Sequence, residues 1–277
     1  MTLAQRNYYF KGGIVLSALC FLCLIALAGK LLPLYPVLSK AALYRSEGLF
    51  QNLVVRFFNT APQASFASVA AAVTYALGAS ILVFVFFEKT QSPEILFFGL
   101  FGLSFAFEIL RILLPLQEIY NFPSVLLVMG TRLLFSGRLF GVLSLFASSL
   151  HAAGLEMQKQ GKVILTIVIA ILVISSRVPI NGLAWDSSLT MVCAYSSMFR
   201  LVEYVLMAMA VISFLLAAYT KGTGEYLFIA LGTFLVSLGR SLLINADTWL
   251  PPLPGLLMLI AGTWFITGRL HQVYLWL

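Results

Sequence analysis

The chain has 277 residues, of which 61% are hydrophobic, 14% aromatic and 10% charged, with a net charge of +7 and a mean hydropathy of +1.00. A soluble domain carries roughly a quarter charged residues, so this composition excludes a water-coated globule and places the chain in a bilayer. Unbroken apolar stretches exclude the alternation of a transmembrane β-barrel, and basic residues scattered between loops and spans form no nucleic-acid surface.

The expected fold is an all-α polytopic membrane protein with seven core transmembrane helices, preceded by a signal peptide or a first membrane helix within residues 1–32. Arg6 and Lys11 precede an apolar run from Ile14 to Gly29 that ends in Ala26-Leu27-Ala28. Small residues at that point suit a signal peptidase, whereas Lys30, Leu31 and Leu32 extend the run into a retained signal-anchor. Both readings leave the following chain on the outer face. Residues 33–64 mix Lys40, Arg45, Glu47 and Arg56 with a stripe of Leu49, Phe50, Leu53, Val54 and Phe57. Helical spacing makes that stripe an amphipathic surface helix or a loop helix capping the bundle.

Seven further spans are predicted: Ser65 to Phe87, Ile95 to Leu116, Ser124 to Leu150, Val163 to Ser176, Met191 to Tyr219, Tyr226 to Asn245, and Gly255 to about Trp276. The Val163 span is short, with a break marked by Pro179 and Asn181-Gly182. Lys89, Lys159, Lys162 and Lys221 fall in loops on one side, and Glu118, Asp186 and Asp247 fall in the opposite short loops beside Arg177. The positive-inside rule makes the lysine side cytoplasmic, with the C-terminus, and implies an inner-membrane location. Lys40, Arg45 and Arg56 in the first outer segment run against the rule and are outvoted by three loops.

Segments from Glu94 and from Glu225 share landmarks about 131 residues apart: Pro123 with Pro254, and Gly137-Arg138-Leu139 with Gly268-Arg269-Leu270. The expectation is a three-helix unit over 65–150, a connector over 151–190 and a second unit over 191–277. Parallel repeats of this kind bind solutes at the repeat interface. The three-one-three layout resembles the architecture of sugar-efflux and vitamin-uptake facilitators; the likeness is architectural, since no motif of either family is found.

Glu108, Arg111, Arg132, Arg138, Arg200, Glu203, Arg240 and Arg269 lie inside apolar spans. On insertion scales each costs about 2.5 to 3.5 kcal/mol at a lipid-facing helix centre, so the set is expected to turn inward into one polar cluster. Glu108/Arg111 and Arg200/Glu203 are spaced to pair within their own helices. Six arginines against two glutamates leave positive charge for an anionic ligand, lipid head groups or a partner helix to compensate.

Other signals carry less. Cys20 and Cys23 sit in an apolar run as packing thiols, and Cys193 is alone. His151, read as a loop residue, and His271 offer no buried pair, so no metal or cofactor is expected. The small residues Ser68, Ala72, Ala76 and Ser80, like Gly137 and Gly141, mark faces of close helix approach. No hydrolase or protease motif occurs, and an enzyme is not expected. The functional expectation is a small-solute carrier whose arginine-rich site receives a polar or anionic group; the alternative is a sensor or accessory subunit acting through a protein partner in the membrane.

Reporter fusions test the topology. Fusions after Gln63 should read as periplasmic and those after Lys89, Lys162 and Leu277 as cytoplasmic; a periplasmic signal at Lys162 would reverse the assignment.

Overall fold

The computed structural model describes residues 3–31, 62–88, 90, 92–155, 160–193 and 195–275. Among them are eight helical segments long and apolar enough to cross a membrane, so the chain is an all-α polytopic membrane protein. The amphipathic stripe from Leu49 to Phe57 lies outside the described residues.

In chain order the helices are α1 (Leu3–Leu31), α2 (Pro62–Phe87) and α3 (Pro93–Ser104), which continues through a 3₁₀ segment, η1 (Phe105–Ile112), into α4 (Leu113–Tyr120). Next come α5 (Ser124–Ala152), α6 (Gln160–Arg177), α7 (Ser196–Lys221), α8 (Glu225–Ile244) and α9 (Pro252–Leu275). Local chemistry sets several boundaries. Ser92 caps α3 by accepting from the Ile95 N–H at 3.3 Å, with Pro93 in the first turn. Asn121 ends α4 and Gly222 ends α7, both in left-handed conformations.

The span predicted from Met191 begins later in the chain. Met191–Cys193 forms strand β2, paired antiparallel with β1 (Ile180–Trp185), and α7 starts at Ser196. Pro179, whose ring disfavours helix for Val178, separates α6 from this β-hairpin. Its tip folds back into the end of the bundle. Ser65 Oγ donates to the Ser187 carbonyl at 2.8 Å and to the Ala246 carbonyl at 3.2 Å, and Leu189 is buried with Leu114, Leu127 and Met191.

Helix α2 is the inner post of the bundle, packed against α1, α3, η1 and α9. Its Ser68, Ala72, Ala76 and Ser80 face is buried, as the spacing predicts. Helix α7 packs on α8 and α5. The landmarks of the 131-residue register meet different partners. Glu94 sits opposite Ser148, whose Oγ donates to the Glu94 carbonyl at 2.8 Å, whereas Glu225 sits opposite Arg269. Arg138 is about ten residues, or roughly 15 Å, deeper along α5 than Ser148.

At the other end of α2, Arg6 of α1 donates to the carbonyls of Phe87 at 2.6 Å and Glu88 at 3.0 Å. A cation there satisfies last-turn carbonyls and the negative end of the helix dipole. His151 is buried in the last turn of α5, not in a loop, and its ring stacks on Phe97 at 5.1 Å.

The closest helix contact joins α8 to α9. Gly232 faces Gly262, and Gly239 faces Gly255, each pair one heptad from the next on antiparallel helices. A Cβ at Gly239 would stand 2.7 Å from the Gly255 carbonyl oxygen, and one at Gly262 would stand 2.6 Å from the Gly232 carbonyl oxygen. On α5 the glycines receive side chains instead: Phe107 lies against Gly137 and Ser104 against Gly141. Gly239→Ala or Gly262→Ala should therefore lower stability in detergent by about 1 to 3 kcal/mol through overpacking. Gly268→Ala, in open space, should leave it equal or slightly raised. Thermal unfolding of the three variants checks the contrast.

Candidate functional site

Three residues per turn in η1 stack Phe105, Glu108 and Arg111 along one edge, and all three are buried. An α-helix would rotate each successive member of that series away by about 60° after three residues. The tighter winding thus holds the carboxylate and guanidinium on a single inward line, with Glu108 Oε2 3.5 Å from Arg111 Nη1.

Glu108 is bound more closely by α5. Arg138 donates from Nε to Oε1 and from Nη2 to Oε2, each at 2.8 Å, a bidentate fork. Arg240 of α8 donates from Nη1 to Glu203 Oε2 of α7 at 3.1 Å and from Nη2 to the Arg138 carbonyl at 3.1 Å. Five of the eight sequence-predicted residues, Glu108, Arg111, Arg138, Glu203 and Arg240, are therefore joined in one network across η1, α5, α7 and α8. Glu108, Arg111 and Arg240 are 2%, 1% and 2% exposed, which leaves water little part in their solvation.

The other three stand elsewhere. Arg132 and Arg200 are exposed on α5 and α7. Glu203 reaches across to Arg240 rather than back to Arg200, because a buried guanidinium offers a carboxylate far more than a solvent- or lipid-exposed neighbour one turn away. Arg269 lies nearer the opposite end of the bundle, donating to Glu225 at 3.1 Å and Gln272 at 3.1 Å, with its guanidinium 4.4 Å from the Phe228 ring centroid.

Arg111 has the least usual environment. Its Nε donates to the Ser188 carbonyl at 2.8 Å, and Nη2 donates to the same oxygen. Nη1 donates to Ser68 Oγ at 3.1 Å, and Ser68 Oγ in turn donates to the Leu243 carbonyl at 2.5 Å. The fork that would grip a carboxylate thus closes on one neutral oxygen at the tip of the β-hairpin. Three arginines against two glutamates leave the network one positive charge in excess. Cys193 on β2 lies close enough to sense Arg138; burial, the larger effect, pushes its thiol above the ordinary range, and the arginine opposes it.

A second polar group, absent from the set of charges within the spans, sits at the far end. Glu94 Oε2 accepts from Tyr274 Oη at 2.6 Å and from Ser92 Oγ at 2.9 Å, tying α3 to α9. Serine carbonyls and hydroxyls such as Ser188 and Ser68 leave no mark in a charge inventory. A small crevice lined by Phe10, Ser80, Val83, Gly99 and Leu103 opens between α1, α2 and α3, about three turns along α2 from Ser68. Among the described residues no group of His, Cys, Asp and Glu could hold a metal ion.

The chain is similar to an uncharacterised protein of Treponema pallidum (strain Nichols). The two are 28% identical over 202 residues, which covers 65% of this chain and 58% of the relative. The chain thus spans little more than half of that relative's length. No protein-family profile and no solved structure matches it.

Removing one partner of a buried ion pair strands the other. Glu203→Ala should destabilise the bundle by about 3 to 5 kcal/mol, and Glu203→Ala with Arg240→Met should recover a large part of that loss. Arg200→Gln should stay within about 0.5 kcal/mol of the parent. Thermal unfolding in one detergent ranks the three variants.

Proposed function

We propose that the chain is a carrier for a small anionic solute and that Arg111 is the cation that receives it. The observation that carries this reading is the Arg111 fork, two donors on the single Ser188 carbonyl of a β-hairpin tip. A carboxylate or phosphate oxygen pair satisfies those donors better than one neutral oxygen, through charge-assisted hydrogen bonds. Glu108 does not compete strongly, because Arg138 already occupies both its oxygens at 2.8 Å and Arg111 stands 3.5 Å away. The β-hairpin end faces outward in the orientation that the lysine loops favour. In that arrangement an arriving anion displaces Ser188 from Arg111 and frees the β-hairpin tip to move. Parting of Arg240 from Glu203 then releases α7, while Tyr274 parting from Glu94 opens the far end, so the two halves rock about the occupied site.

A second reading, a sensor or accessory subunit, draws on the completeness of the Glu108, Arg138, Arg240 and Glu203 network, which latches four elements without any ligand. Ligand titration of the parent and of Arg111→Gln separates the two. Purified protein is titrated with inorganic phosphate and with a panel of mono- and dicarboxylates, reading thermal shift and intrinsic tryptophan fluorescence. A carrier site predicts a saturable response to one class and, for Arg111→Gln, a loss of affinity of about tenfold to a hundredfold with assembly retained. Absence of any response to all panel members, with Arg111→Gln changing stability alone, would leave the sensor or accessory role.

A further inference from the structure

We propose that the face of α5 and α7 bearing Arg132 and Arg200 binds the phosphate of an anionic phospholipid in the leaflet on the β-hairpin side of the bundle. This inference stands apart from the carrier reading. Arg111, Arg138, Arg240 and Arg269 each reach a carboxylate or a carbonyl. The guanidinium groups of Arg132 and Arg200 are exposed, and among the described residues neither has an acceptor.

The two lie close together. The Phe135 ring of α5 meets the Phe199 ring of α7 edge to face with centroids 4.8 Å apart. Arg132 is one turn before Phe135, and Arg200 directly follows Phe199. Both helices start at the β-hairpin end, α7 because it follows β2 and α5 because its Leu127 is buried with Leu189 and Met191. At 1.5 Å per residue, Arg132 is roughly 12 Å and Arg200 roughly 6 Å from the start of its helix. Because the Phe135–Phe199 contact sets the start of α7 roughly 12 Å along α5, Arg132 is level with that start and Arg200 about one turn further in, a depth from which a long side chain can snorkel to the level of lipid phosphates.

The surroundings select the ligand's body as the arginines select its head. Met129 and Leu133 flank Arg132, and Leu201, Tyr204 and Val205 flank Arg200 at helical spacing, all exposed. A soluble anion would find no such apolar contact useful, whereas acyl chains cover it. Two cations whose nearest carboxylate along the helix, Glu203, is taken by Arg240 favour a head group of net negative charge, since a zwitterionic lipid brings an ammonium of its own.

The full chain is reconstituted in nanodiscs of equimolar phosphatidylglycerol and phosphatidylcholine, and the lipids retained through detergent extraction are quantified by mass spectrometry. The expected result is retention of phosphatidylglycerol over phosphatidylcholine by about tenfold, lost in Arg132→Gln/Arg200→Gln and kept in Arg269→Gln. Equal retention of both lipids by the parent, or unchanged selectivity in the double variant, overturns the proposal. Should the double variant fail to fold, phosphatidylglycerol with a photoreactive head group decides on the parent protein. Crosslinks at 129–133 and 200–205 support the site. Crosslinks confined elsewhere, displacement by excess inorganic phosphate, or crosslinking of this face to an acidic helix of another protein each overturn it.

Discussion

A carboxylate inside an apolar bundle survives as an anion only if cations are brought to it, and Glu108 has two. Arg138 takes both its oxygens, Arg111 stands one 3₁₀ turn away, and the geometry of four helices follows from keeping these groups together. The winding of η1 aligns Glu108 with Arg111, the depth of α5 is fixed by Arg138, and the Arg138 carbonyl anchors Arg240, which in turn fixes Glu203 on α7. Each step removes a penalty that an isolated charge would incur in a low-dielectric interior. The polar residues thus set the register in which the apolar side chains pack, because dispersion contacts tolerate small slips and bidentate ion pairs do not.

Membrane class and span positions were legible, because runs of apolar residues that long have only one environment. The inward turn of Glu108, Arg111, Arg138, Glu203 and Arg240 was legible on the same ground. Their pairing was not. Sequence spacing proposes partners within a helix, yet Glu203 finds Arg240 on another helix, a choice made by tertiary burial. Arg132 and Arg200 show the limit of the cost argument: both are exposed on their helices and not turned into the cluster. The β-hairpin was hidden because strands of six and three residues give too little periodicity to read. Gly232, Gly239, Gly255 and Gly262 were overlooked for another reason, that their heptad spacing becomes meaningful only when two antiparallel helices are laid together.

Two kinds of helix contact divide the labour. Where α8 meets α9, glycine lets backbone touch backbone, and the pair is a stiff unit with little room to slide. Where the halves meet, serine and tyrosine hydroxyls bridge them: Ser68 to Leu243, Tyr75 to Thr263, Tyr274 to Glu94. The first two join neutral groups, are each modest in strength and can be exchanged for water or ligand, whereas the Tyr274 hydroxyl donates to a carboxylate. Stiffness therefore resides in the α8–α9 pair and adaptability in the hydroxyl contacts that α2 makes with it.

Ser68 bonds a residue 175 positions downstream, and Tyr75 one 188 positions downstream. A ribosome delivers α2 long before it delivers α8 and α9, so throughout most of synthesis these hydroxyls, and Arg111 beside them, have no completed pocket. The nascent first half must hold a buried-charge edge open to lipid, or to an insertion factor, until the closing helical pair arrives. The last fifty or so residues of the chain are in this sense its keystone, and errors late in translation expose the most polar surface that the membrane portion possesses.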